Sequence, residues 1–258
     1  MMPITNTSVK IRSPITYIPG AGWQYITVNG RRITVARAAK MEPAKIISVD
    51  ARGRTSLTAL DLPAAIEVDV SGCTGLTALD IPAATVVNVS GCTGLTTLDI
   101  PAATLVDASD CTGLTALYIP AATRIYTSGC TGLTALDIPT ATLVDASGCT
   151  GLTALVLPAA TRIDVSGCTG LIALDLPAAI MVYASNLNSS PVIIPAGADH
   201  RGYEFYGLRV SGVWRIAAGC RYFTLPEARK HWESNKECLA LVEKIAIEIK
   251  ARAEAGKK

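Results

Sequence analysis

Six cysteines, Cys73, Cys92, Cys111, Cys130, Cys149 and Cys168, recur at intervals of 19 residues. Thiols on such an interval admit three chemistries. Set side by side at about 5 Å, they could oxidise to disulfides. As thiolates they could bind a metal, but metal sites draw on closely spaced pairs such as C-x-x-C, and the chain has none. Reduced and buried, they would act as small apolar side chains with a weak S–H donor. The packed, reduced ladder is expected, with oxidation after lysis or export as its alternative, and with neither a metal nor a cofactor. Cys220 and Cys238 fall outside the ladder and read as cap core.

Aspartates keep the same interval. Asp61, Asp80, Asp99, Asp137 and Asp175 form one set, interrupted by Tyr118 and Val156. Asp69, Asp107, Asp145 and Asp164 form a second, with Asn88, Tyr126 and Tyr183 among them. Stacked at strand spacing, like charges repel by about 1 kcal/mol per pair in water-like surroundings. Such rows could keep sheets from adhering to one another, could dock a basic partner, or could hold calcium. Repeat 109–127 departs most from the rest, with Asp110, Tyr118, Arg124 and Tyr126. Tyrosine and arginine are enriched among the residues that dominate interface energetics, although drift without function would leave the same trace.

Catalysis has little to work with. The only histidines, His200 and His231, are far apart, and no G-x-S-x-G, phosphate loop or H-E-x-x-H occurs. A non-enzyme is expected; the catalytic alternative is a cap in which His231 or Cys220 acts.

The residues above are positioned by a repeat. Prolines 63, 82, 101, 120, 139, 158 and 177 share the 19-residue interval, and the unit reads SGCTGLTALDIPAATVVNV at 71–89. Seven copies span 52–184, the first without its cysteine. A fixed period of this kind marks a solenoid, whose turns bury their apolar edges only by stacking. Period-2 alternation sends Leu79 and Ile81 inward and Ala78 and Asp80 outward. In a second extended segment the position of Val87 is always Val or Ile and that of Val89 always small, so both are core, while positions 86 and 88 face water. Each proline ends the first segment, having no N–H for a ladder. The glycines at 72 and 75 read as turn residues. Seven turns about 4.8 Å apart make a rod of roughly 35 Å.

Leu76, Leu79, Ile81, Ala84 and Val86 fit the leucine-rich-repeat pattern L-x-x-L-x-L-x-x-N/C-x-L. With the S-G-C-x-x-L stretch ahead of the strand, residues 52–184 resemble the BspA-like bacterial subgroup of that family, which implies a leucine-rich-repeat-like solenoid. The 19-residue period is shorter than usual, and Ala84 replaces an asparagine that serves loop backbone groups. Thr74, Thr85 or Ser90 must then serve them. A β-helix is the rival architecture, although its left-handed hexapeptide form would prefer about 18 residues.

A stack needs caps. Residues 1–51 read as an N-terminal cap with a β-hairpin over 23–35 (Asn29-Gly30 in the turn) and a degenerate turn over 36–49. Residues 185–258 read as a decayed repeat, a hairpin around Ser211-Gly212 and two short helices. Thr224 and Ser234 would open those helices as capping boxes. The predicted class is mainly β, with an α+β C-terminal cap. Cys238, Leu241, Val242, Ile245 and Ile249 share one helical face, which either packs on the cap or forms a homodimer. The stretches AGCRYFTLPEARKHW and ECLALVE are similar to the ends of repeat proteins encoded in prophages of enteric bacteria.

Charge narrows the partner. Residues 1–54 carry nine basic side chains against two acids, 55–184 two against eleven, and 185–258 twelve against eight. An acidic middle argues against nucleic acid along the repeats. No stretch approaches the ~20 apolar residues of a membrane span, and the start lacks a signal-peptide pattern. A cytoplasmic location is expected, the host's if the chain is phage-encoded. The expected function is a non-catalytic protein-interaction module, with Asp61, Asp80, Asp99, Tyr118, Arg124, Tyr126, Asp137 and Asp175 meeting a basic protein surface. A structural or surface component, such as a virion or adhesion accessory, is the alternative.

Overall fold

The computed structural model describes residues 15–17 and 25–255. The repeats form a parallel β-solenoid, with two three-residue strands per coil in most units. In the unit quoted above these are Ala78–Asp80 and Val86–Asn88. Cys73, Leu76, Ile81, Ala84, Val87 and Val89 all point into the core with almost no exposure. Val86, the last apolar position of the leucine-rich pattern, is 39% exposed, as the alternation rule expects, while Leu76, Ile81 and Ala84 of that pattern are buried.

The second strands are the spine. They stack in unbroken parallel register from Ser48–Asp50 to Met181–Tyr183, and the N-terminal hairpin Tyr25–Val28/Arg31–Thr34 extends this sheet to ten strands. The first strands are less continuous. Their ladder breaks between Ala78–Asp80 and Thr97–Asp99, and again between Ala116–Tyr118 and Ala135–Asp137. Leu79 and Leu117, which precede the two breaks, are only partly buried, whereas their equivalents Leu98 and Leu136 are buried.

Coil contacts are made chiefly by backbone. Val89 N–H donates to the Asp107 carbonyl at 2.8 Å and Gly91 N–H to the Ser109 carbonyl at 2.7 Å, and other coils repeat the pattern. Threonines reinforce it: the hydroxyls of Thr104, Thr123, Thr142 and Thr161 each donate to the carbonyl of the matching threonine one coil earlier. Of the three side chains expected to serve loop backbone groups, the Thr85 class thus serves loop carbonyls. Gly91 has a φ of +70°, the turn role expected of its class. Gly94, of the Gly75 class, is required for another reason: a Cβ there would lie 2.7 Å from the Leu76 carbonyl oxygen and 2.8 Å from that of Thr74.

Both ends are closed. At the N-terminal end the hairpin turns at Asn29-Gly30, both at positive φ. The Asn29 amide accepts from Ile47 and Ser48 N–H and donates to the Lys45 carbonyl. Residues Ile15–Tyr17 add antiparallel to Leu57–Asp61; Trp23 and Gln24 of the expected hairpin lie outside the described residues. At the other end the hairpin expected over 203–210 and 213–217 forms as Glu204–Val210/Val213–Ala218, the middle of a four-stranded antiparallel sheet completed by Ile193–Ala198 and Arg221–Thr224. Tyr206, Leu208, Val210 and Ala217 belong to the solenoid core. Phe205, Ile194 and Ile216 pack with the helices Leu225–His231 and Lys236–Ala255. The capping box at Thr224 forms with Glu227. The second helix is twenty residues long and starts on Asn235, whose carbonyl oxygen accepts from Cys238 N–H, in place of the expected Ser234.

These burials give a stability prediction. Leu114 is fully buried in a central coil, while Leu117 flanks a ladder break. Leu114→Ala should lose about 2–5 kcal/mol in urea unfolding, and Leu117→Ala measurably less. Equal losses would contradict the break in the first-strand ladder.

Candidate functional site

The cysteine ladder is a structural device. All six thiols are buried and free. Each Sγ–H donates to a main-chain carbonyl of the preceding coil: Cys92 to Val70, Cys111 to Val89 and Cys130 to Ala108, at 3.0–3.1 Å, with the other three alike. Burial disfavours the thiolate, raising the pKa to about 11 for Cys73, Cys111 and Cys149 and about 12 for Cys92, Cys130 and Cys168. For Cys92, thiolates at Cys111 and Cys73 would add repulsion. Protonated thiols in this setting are poor nucleophiles and poor ligands.

The structure separates the two acidic rows. In the second-strand row the side chains of Asp69, Asn88, Asp107, Asp145 and Asp164 each accept from the N–H of the serine two residues on, at 2.8–3.1 Å. They hold the turn that leads to the glycine and cysteine, in the manner of an Asx turn. In repeat 109–127, Asp110 adopts the left-handed conformation in the glycine's place, with φ of +58°. The first-strand row has no such task. Asp80, Asp99 and Asp137 are exposed and accept no hydrogen bond from any described residue. Asp61 lies in register with Asp80, and Asp99 with Tyr118, whose ring is 59% exposed. Asp175 is different: it accepts from the Ser211 hydroxyl at 2.6 Å, so the C-terminal cap engages the last carboxylate of the row.

The expected residues are therefore only partly gathered. Asp61, Asp80, Asp99, Tyr118, Asp137 and Asp175 share one row. Arg124 and Tyr126 sit on the second strand of their coil, with Pro120 and its turn between them and Tyr118. Tyr126 is partly buried, in register with Asp107 and Asp145. On the C-terminal helix, Cys238, Val242 and Ile245 are buried within the chain, and Leu241 and Ile249 pack against the same cluster. Among the described residues no helix is long and apolar enough to cross a membrane, and no group of three or more His, Cys, Asp or Glu side chains could hold a metal ion. No protein-family model, curated protein or solved structure matches the chain.

What the sequence left apart is a cavity in the C-terminal cap. His231 and Cys220 both line it, with Arg201, Arg221 and Trp232; Cys220 is exposed, not part of the cap core as expected, whereas Cys238 is buried there. His200 lies elsewhere, paired with Glu237 at 2.6 Å.

The ladder predicts an alkaline limit to stability. Folded-state thiol pKa values above the unfolded value of 9.0 contribute stability that is complete below about pH 9 and is lost as pH rises towards 11–12. Each thiol steepens that loss by about 1.4 kcal/mol per pH unit. Urea unfolding between about pH 8 and about pH 10 should show the decline, and Cys111→Ala should make it shallower. An unchanged slope would mean that the thiols titrate while folded.

Proposed function

We propose that the chain is a non-catalytic interaction module whose first-strand acidic row, Asp61, Asp80, Asp99 and Asp137 with Tyr118 among them, receives a protein partner with a basic surface. The contrast between the two rows supports this reading. Carboxylates of the second row hold turns; in the first row Asp80, Asp99 and Asp137 stand exposed with no hydrogen-bond partner among the described residues, and the half-exposed Asp61 stacks in register on Asp80, where like charges repel by about 1 kcal/mol. A cationic surface would relieve that repulsion. Tyr118 supplies an aromatic side chain of the type that dominates interface energetics. Arg124, Tyr126 and Asp175 are peripheral to the surface proposed.

On this reading the coils are leucine-rich-repeat-like units of the BspA-like kind, and the cap motif AGCRYFTLPEARKHW supports a phage-borne protein acting on a bacterial host protein. The test is affinity capture from bacterial lysate with the wild-type chain and with the double variant Asp80→Lys, Asp99→Lys. Wild type should retain a basic protein that elutes with salt. The variant should keep its thermal midpoint yet bind that protein more weakly, by about tenfold or more. Failure of wild type to capture any protein, or equal capture by the variant, would remove the proposal.

A further inference from the structure

We infer that the cavity of the C-terminal cap is a binding site for a small organic anion with a planar apolar body. It lies between the strand Arg221–Thr224 with its preceding turn and the helix Leu225–His231. Its volume is about 340 Å³, within the range of roughly 300–1,000 Å³ typical of ligand pockets. Phe205 and Trp232 form an apolar floor, their ring centroids 5.0 Å apart and both rings nearly fully buried. Tyr203, which also lines the cavity and is 51% exposed, presents the accessible aromatic surface that favours a flat apolar guest.

The rim has a different chemistry. Arg201 is anchored to the buried Asp199 carboxylate by bonds of 2.6 and 2.9 Å, which fix its guanidinium and neutralise its charge. Asp199 is itself held by Arg201 N–H and Tyr203 N–H. Arg221 has no ion pair among the described residues, so the rim carries a net positive charge. Asn235 uses its carbonyl oxygen on Cys238 N–H, which directs its amide N–H groups to other acceptors. His231 is held in place by Trp232 and Phe223, with ring centroids 4.9 and 4.8 Å away. Guanidinium and amide donors around an aromatic floor match a carboxylate or phosphate on a flat ring system. The acidic row of the repeats takes no part in this site.

The experiment uses the full chain labelled with nitrogen-15 and follows the Trp232 indole N–H by NMR. The probes are 2-naphthoate, 2-naphthyl phosphate and the uncharged 2-naphthalenemethanol, at millimolar concentration. One or both anions should shift the Trp232 signal saturably, and the tighter of the two identifies the anionic group. The neutral alcohol should bind more weakly. Arg221→Gln, an exposed substitution, should keep the thermal midpoint and weaken anion binding by about tenfold. The inference is overturned if neither anion shifts Trp232, if the alcohol binds as tightly, or if a folded Arg221→Gln chain binds the anions unchanged.

Discussion

One coil of this protein cannot fold alone. Its nineteen residues turn seven small side chains towards a common axis, and the only cover for them is the coil above and the coil below. The hydrogen bonds have the same geometry. Val89 N–H, Gly91 N–H and the Cys92 thiol all find their acceptors in an adjacent coil. Register between coils is therefore the constraint on which everything else rests. It explains why a glycine must stand at 94, where a side chain would meet the carbonyl oxygens of the preceding coil. It explains why the core uses Ala, Val and Cys where a globular domain would use Phe. It also demands closed ends, which the hairpin at one end and the four-stranded sheet with two helices at the other provide.

The repeat was plainly legible because a solenoid writes its geometry into sequence once per coil. The inward positions 81, 87 and 89 follow from the two extended segments and are buried, whereas Leu79, also expected inward, is only partly so. The cap hairpin and the Thr224 capping box were visible for local reasons, a tight turn and a side-chain bond three residues apart. Other features depend on distance and left no local mark. The strand Ile193–Ala198 begins inside the stretch expected to be a decayed repeat and contains Pro195 and Gly197; its register shifts between those two residues, and its partner supplies the pairing. The thiol's acceptor lies 22 residues earlier in the chain and follows from no motif. The breaks in the first-strand ladder follow from no motif, although the second comes directly after Tyr118, where the repeat departs from its aspartate.

The candidate site was half legible. Period alone identified both acidic rows, but it could not separate a carboxylate that holds a turn from one that does not. The signal was present in the serine two residues after Asp69, Asp107, Asp145 and Asp164, which makes an Asx turn possible. No equivalent serine follows Asp80 or Asp99, where Pro82 and Pro101 stand. The cap cavity was hidden for the opposite reason. Arg201, Cys220 and His231 are spread over thirty-one positions of sequence and meet only through the antiparallel sheet and the helix that crosses it.

Register between coils can be tested by excision. Residues 109–127 constitute one full period, and their removal joins Ala108 to Ser128 without altering the order of strands and turns. Such a chain should keep a β-type far-ultraviolet circular dichroism spectrum and unfold in a single cooperative transition. Removal of residues 109–118, which shifts the remaining coils out of phase, should leave no cooperative transition. A whole-period deletion that fails to fold, or an out-of-phase deletion that folds as well, would contradict the account.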